Sequence, residues 1–171
     1  MVRLLVLTGQ RRGEVAGLTW AEIDRKKGLI TLPRERVKND RAHEVPLSPQ
    51  ATALIEALPR HSERYVFSLG SVPIGGFGKF KAQLDKLCGV ADWTLHDLRR
   101  TAASGMARLG VGLPVIEKVL NHVSGSFAGV VGIYQRHDFA GEKRKALELW
   151  GAHVAAVVSD KPAKAKVVKL R

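Results

Sequence analysis

Cysteine is almost missing: Cys88 is the only one in 171 residues. That excludes an internal disulfide and a metal site built from thiolates. Long hydrophobic runs are missing too, and none approaches the ~20 apolar residues that a membrane-spanning helix needs. The opening Met1-Val-Arg-Leu-Leu-Val-Leu-Thr-Gly9 carries an apolar run with no small-residue cleavage site behind it, so no signal peptide and an intracellular protein are expected. No internal repeat appears, which sets aside solenoid and propeller architectures. Aromatics make up 6% of the chain, with only two tyrosines, Tyr65 and Tyr134.

Acidic residues are scarce. Asp and Glu total 16 against 28 Lys and Arg, for a formal net charge of +12 and a pI near 10.3. Such an excess favours polyanionic partners, nucleic acid ahead of an anionic membrane surface. The last 13 residues hold a net +4 of that charge, so +8 remains on the part before them. A hydrophobic fraction of 45% and a charged fraction of 26% suit one packed domain of this length.

The periodicity predicts a mainly helical α+β domain with one small antiparallel sheet near the N-terminus. Leu4, Leu5 and Leu7 read as the last turns of an apolar helix. Residues 11–18 are helical in pattern, and Thr19-Trp-Ala-Glu22 fits a capping box on one short turn. Short strands are expected over 29–32, 36–37 and 44–47, with a turn at Asn39-Asp-Arg41. Ser48 followed by Pro49 is an N-cap with proline at the first helical position, and Pro59 stops that helix. A glycine-rich stretch, Ile74-Gly-Gly-Phe-Gly78, lacks the lysine and spacing of a phosphate-binding loop and precedes a helix over 78–88. Thr94-Leu-His-Asp97 fits a second capping box that starts a helix running to about residue 109. Helices are also expected over 114–121, 127–137 and 141–158. The last carries Leu147, Trp150, Val154 and Val157 on one stripe, which suits either this domain's own core or docking on a neighbour.

Several basic residues are spaced to share a ligand. With Thr94 as N-cap, His96 is the second helical residue and Arg99 the fifth. Three apart, they share one helix face beside free N–H groups, a plausible phosphate cradle. A surface His and Arg on a basic helix explains the pair equally well. Arg11 and Glu14 are also three apart, so the carboxylate either orients the guanidinium or forms an ordinary ion pair worth about 0.3–0.5 kcal/mol. Lys38 sits at the hairpin tip, and His122 follows a short helix. Tyr134 lies in a segment of small residues, and a phenol of pKa near 10 is a weak nucleophile unless charge nearby stabilises it.

The order of these pieces carries more than any one of them. Leu7-Thr-Gly-Gln-Arg11-Arg-Gly-Glu14-Val, then Lys38 with Val45-Pro-Leu-Ser48, then His96-Asp-Leu-Arg99-Arg-Thr, then Leu120-Asn-His122, then Ile133-Tyr134-Gln-Arg-His-Asp138 form one long pattern. It resembles the catalytic domain of the tyrosine recombinases, also called phage integrases, over about residues 2–150. The chain departs from that family's usual sequence in Asn121, which stands where glycine is common, and in a longer stretch between His122 and Tyr134.

The resemblance implies the DNA breaking-rejoining fold over residues 1–158, followed by a basic, disordered tail over 159–171. It also implies an N-terminal DNA-clamping domain and a fuller first helix, neither present in these 171 residues. Tyr134 would attack a DNA phosphodiester to give a 3′-phosphotyrosyl link, and Arg11 and Arg99 would neutralise the non-bridging oxygens. Lys38 would protonate the leaving 5′-oxygen, His96 would assist proton transfer from the tyrosine, His122 would hydrogen-bond the phosphate, and Glu14 would orient the group. No cofactor and no metal are implied, since the guanidinium pair takes the charge-neutralising role. The implied partners are double-stranded DNA bearing an attachment site and three further protomers in a homotetramer, with the C-terminal helix docking in trans and no membrane. The implied setting is the cytoplasm, in a bacterial or phage-encoded, nucleoid-associated protein serving prophage or mobile-element integration and excision. A prophage remnant that binds DNA without cutting it, and a nicking-closing enzyme of the topoisomerase IB type, would carry the same residues.

Overall fold

The computed structural model describes residues 1–38, 40–122 and 139–159. A short helix, α1 (Val2–Thr8), lies at the centre. Leu4 and Leu5 are fully buried, and α1 packs against α2 (Arg12–Ala16), α3 (Pro49–Glu56), α5 (Asp97–Arg108) and α7 (Ala140–Val158). A seven-residue helix has little stability of its own, so neighbours on several sides hold it. Its last turn closes on Gly9, whose left-handed backbone lets its N–H bond the Leu5 carbonyl.

The sheet is antiparallel in the order β1 (Ile23–Asp24), β2 (Leu29–Leu32), β3 (His43–Pro46). Ile30 pairs with Val45 and Leu32 with His43. All four are buried, so the period of two places His43 on the same inward face as the aliphatic side chains. A 3-10 turn over Trp20–Glu22 leads into the sheet, and the Glu22 carboxylate accepts the Thr19 N–H at 2.8 Å as the expected capping box requires. Ser48 caps α3 by accepting the Ala51 N–H, with Pro49 at its first position.

Two local expectations are overturned. Residues 36–37 are not a strand: Arg34–Arg36 form a 3-10 turn inside the β2–β3 connection. The cause is an ion pair from Arg36 to Glu22 together with an Arg36 bond to the Glu14 carbonyl, both distant in sequence. The second correction is at α5, which starts at Asp97, not after Thr94. The Thr94 hydroxyl donates to the Asp97 carboxylate at 2.7 Å and so does not serve as an N-cap acceptor. His96 is therefore the cap residue and Arg99 the third helical residue. β1 was not foreseen, since two residues carry no readable alternation.

Helix α4 (Phe77–Cys88) has no buried residue and lies at the edge, while α6 (Leu113–Val119) packs against α5 and α7. On α7 the apolar stripe divides. Leu147 and Trp150 are buried in the chain's own core and Val154 packs against it, whereas Val157 is exposed. Among the described residues no helix is long and apolar enough to cross a membrane. The stretch 127–137, expected to be helical, lies outside the described residues.

Helices α5 and α7 meet closely at Gly105. Trp150 lies over Gly105, and its indole N–H donates to the Val6 carbonyl at 2.7 Å. A Cβ on Gly105 would stand 2.1 Å from the ring. Gly105→Ala is thus expected to cost about 1–3 kcal/mol through overpacking. In thermal denaturation this reads as a drop of about 2–4 °C per kcal/mol for a chain of this size.

Candidate functional site

The site is built where α6 ends. Helical bonding leaves the last carbonyls of any α-helix without intrahelical partners, and α6 presents three in succession. The Val119 carbonyl accepts from Gln10 Nε2 at 2.9 Å and lies 3.1 Å from His43 Nε2. The Leu120 carbonyl accepts from Arg99 Nη2. The Asn121 carbonyl accepts from Arg11 Nη2 at 3.2 Å. The negative end of the helix suits the two guanidiniums among these donors.

Asn121 completes that end with a left-handed backbone, φ 46°. Its N–H bonds the Lys118 carbonyl, and the His122 N–H bonds the Glu117 carbonyl at 2.9 Å. This is the Schellman arrangement, whose left-handed position is usually glycine and sometimes asparagine. Asparagine in place of glycine at position 121 therefore preserves the backbone shape.

Arg11, Glu14 and Arg99 are brought together. Arg11 precedes α2; its Nη1 pairs with Glu14 Oε1 at 2.9 Å, and its N–H donates to Glu14 Oε2 at 3.0 Å. Glu14 is buried, so the carboxylate both caps α2 and fixes the guanidinium. Arg99 is 7% exposed, and its Nη1 donates to the Gly9 carbonyl at 2.9 Å. Both of its bonds among the described residues go to neutral carbonyls. Burial and the adjacent Arg11, opposed by Glu14, pull its pKa down to about 10. It stays charged at neutral pH but is under-neutralised, and the remaining donors of its fork make no hydrogen bond to a described group.

The other sequence candidates stand differently. Lys38, His96 and His122 are exposed, and their side chains hydrogen-bond to no other described group. His122 directly follows the carbonyls that the arginines grip, and His96 lies one turn before Arg99. Lys38 is two residues past Arg36, whose bond to the Glu14 carbonyl ties the root of that loop to α2. Tyr134 lies outside the described residues. Among the described residues no cluster of His, Cys, Asp and Glu is arranged to hold a metal ion.

His43 was missed, and it is buried at 4% exposure. Its Nε2 faces Gln10 Oε1 at 3.2 Å as well as the Val119 carbonyl. Burial first, then Lys143, Arg99 and Arg11, push its pKa down to about 4, so the imidazole is neutral. The only sequence signal was the alternation in His43-Glu-Val45, which places His43 and Val45 on one face.

A depressed histidine pKa means that stability is complete above the unfolded value near 6.5 and is lost as pH falls toward 4. The linked loss by pH 4.5 is about 2–3 kcal/mol. Urea denaturation at pH 7 and pH 4.5 should show His43→Gln losing less stability on acidification than the wild type by that amount. At the helix end, Asn121→Gly should hold or raise stability, while Asn121→Val should lower it by about 1–2 kcal/mol because a β-branched residue resists the left-handed backbone.

The Phage integrase family profile matches residues 1–140. The chain is 31% identical over 165 residues to prophage integrase IntA of Escherichia coli K12, covering 93% of this chain and 38% of that protein. It is 31% identical over 107 residues to a shufflon-specific DNA recombinase of Escherichia coli, covering 63% of this chain and 27% of the relative. The chain thus spans less than half the length of either relative. Among solved structures, an integrase from mycobacterium phage Brujita superposes with a TM-score of 0.62 at 17% identity, over 87% of this chain and 50% of that one. The likeness to that structure is one of fold. That profile covers well over half of the chain, and the chain belongs to the phage integrase family.

Proposed function

We propose that this chain is the catalytic domain of a site-specific DNA recombinase, cutting and rejoining DNA through a 3′-phosphotyrosyl intermediate on Tyr134. The observation that carries the reading is the Arg11–Arg99 pair, with Arg99 buried and bonded, among the described residues, only to neutral carbonyls. Perturbed, under-neutralised groups of this kind mark sites that take a ligand of opposite charge. A phosphodiester bridging the two guanidiniums would supply the missing anion, and one of the relatives is named as a DNA recombinase.

In the first step the Tyr134 oxygen attacks the scissile phosphorus. The phosphorus–oxygen bond to the 5′ side breaks, and the 3′ strand remains esterified to the tyrosine. Arg11 and Arg99 stabilise the charge that builds on the non-bridging oxygens, as preorganised donors do in other acyl and phosphoryl transfers. Lys38 delivers a proton to the leaving 5′-oxygen as general acid. His96 assists proton removal from the phenol, and His122 hydrogen-bonds the phosphate. Glu14 keeps Arg11 in place. Attack by the 5′-hydroxyl of a second duplex reverses the step and recombines the strands. No nucleotide is consumed, because each ester made replaces one broken.

Integration and excision further require two duplexes held by four protomers. Val157 and Val158, exposed at the far end of α7, are apolar surface suited to a neighbouring protomer. The setting is the bacterial cytoplasm, at the nucleoid.

The test is a nicked suicide duplex carrying the attachment site, or supercoiled plasmid where the site is unknown, resolved under denaturing conditions. The wild-type chain should form a covalent 3′ adduct. Tyr134→Phe should form none while binding DNA as before, and Arg99→Gln should slow adduct formation at least about 100-fold. Salt-steep binding with no adduct from wild type would instead assign a DNA-binding remnant. Relaxation of plasmids without regard to site would assign a nicking-closing enzyme.

A further inference from the structure

His43 takes no part in the chemistry above, yet it is bound into the backbone that holds the two arginines. Two short stretches run side by side, residues 9–11 and residues 119–121, and they are cross-linked three times. Arg99 spans from the Gly9 carbonyl to the Leu120 carbonyl. Gln10 donates to the Val119 carbonyl, and Arg11 to the Asn121 carbonyl. Gln10 is the middle rung, and its amide orientation is fixed because Nε2 donates to both the Thr8 and Val119 carbonyls, at 2.8 and 2.9 Å. That leaves Gln10 Oε1 as an acceptor, and His43 Nε2 faces it.

Both partners of His43 Nε2, an amide oxygen and a main-chain carbonyl, are acceptors. The hydrogen therefore sits on Nε2, and this fixes the tautomer. Burying an imidazole among Leu32, Val45 and their neighbours costs free energy unless its polar atoms are satisfied. A leucine or valine would fill the inward face of β3 as well as a histidine does. The hydrogen bond is what distinguishes histidine there, and it ends on the residues flanking Arg11 and Leu120.

We propose that His43 is a positioning residue for strand cleavage: anchored in β3, it locks Gln10 and the Val119 carbonyl, and so sets the separation and aim of Arg11 and Arg99. This rests on the recombinase reading above. Misplacing a catalytic group by about 1 Å costs on the order of 100-fold in rate, and loss of an outer hydrogen-bond partner in comparable metal sites costs about 10–100-fold. A loss of positioning acts on the transition state, whereas DNA affinity rests on many phosphate contacts elsewhere.

The experiment compares wild type with His43→Leu, which keeps volume and removes the donor, and His43→Gln, which keeps a neutral N–H near the Nε2 position. Three quantities are read: the adduct-forming rate at saturating suicide duplex, the Kd for intact duplex, and the side-chain 15N spectrum of Arg99. His43→Leu should react about 10–100-fold more slowly with a Kd within about twofold of wild type, while His43→Gln recovers to within about threefold, margins chosen because one lost or kept contact changes little else. The Arg99 Nη signals, slowed in rotation by their carbonyl bonds, should average in the leucine variant and stay resolved in the glutamine variant.

A folded His43→Leu that cuts at the wild-type rate overturns the proposal. So does a rate loss matched by an equal loss of affinity, or a glutamine variant no better than leucine. If wild type itself forms no adduct, the recombinase reading fails on its own, and the Arg99 spectrum still decides: an unchanged pattern in His43→Leu refutes the positioning role. If His43→Leu does not fold, His43→Asn replaces it, with its amide one methylene short, and equal rates for Asn and Gln refute the role.

Discussion

Three main-chain carbonyls at the end of a seven-residue helix set the geometry on which the site depends. Val119, Leu120 and Asn121 cannot find partners within α6, and an unmet buried carbonyl costs about 1–3 kcal/mol. Side chains from three other places meet that demand: Gln10 and Arg11 from the α1–α2 junction, His43 from β3 and Arg99 from α5. The same bonds that satisfy the helix end thereby gather two guanidiniums. In the proposed reading structural need and chemical use coincide in Arg99, because a guanidinium has enough donors to bond the Leu120 and Gly9 carbonyls and still present others to a ligand.

The packing around α1 makes this gathering reproducible. Gly9 closes α1 in a left-handed turn, and a Cβ there would stand 2.9 Å from Leu120. Absence of a side chain thus lets the α1–α2 junction approach the end of α6 closely enough for Arg99 to bridge the two. Ala102 and Gly105, both small and buried on α5, do the corresponding work on the other side: Ala102 faces Gly9, where a Cβ would stand 3.3 Å from its own, and Gly105 admits Trp150. Trp150 then bonds the Val6 carbonyl, so α7 holds the helix whose C-terminus feeds the site.

What was legible in the sequence follows from how local each device is. The Ser48 cap and the Thr19–Glu22 box involve residues three apart, and both were readable. The Arg11–Glu14 pair was readable for the same reason, and the structure adds that its carboxylate is buried. Arg36 was misread as a strand residue because its conformation is imposed by Glu22 and the Glu14 carbonyl, 14 and 22 positions away. Thr94 looked like a helix cap because spacing alone does not say whether a hydroxyl accepts or donates. His43 was hidden more deeply, since its partners lie 33 and 76 residues off and a four-residue strand gives little periodicity. Arg99 was visible as a motif residue, but nothing in the motif says that it is buried.

Two scales of charge act in this chain, and they do different work. The net +12 is spread mostly over exposed Lys and Arg, where salt screens interactions beyond about 8–10 Å. Such charge brings a polyanion near without choosing a phosphate on it. At the helix end the count is smaller and the control tighter: two guanidiniums, one buried carboxylate on Arg11, and an imidazole that burial, helped by the surrounding cations, keeps neutral. If His43 carried a proton, a third positive charge would press on Arg99 from behind, where no phosphate reaches it. If Glu14 lay between both arginines, the site would be satisfied without a ligand. The arrangement leaves Arg99 charged, confined and incompletely neutralised by the described groups, with water excluded from most of its surface, and in the proposed reading a phosphodiester would relieve that condition.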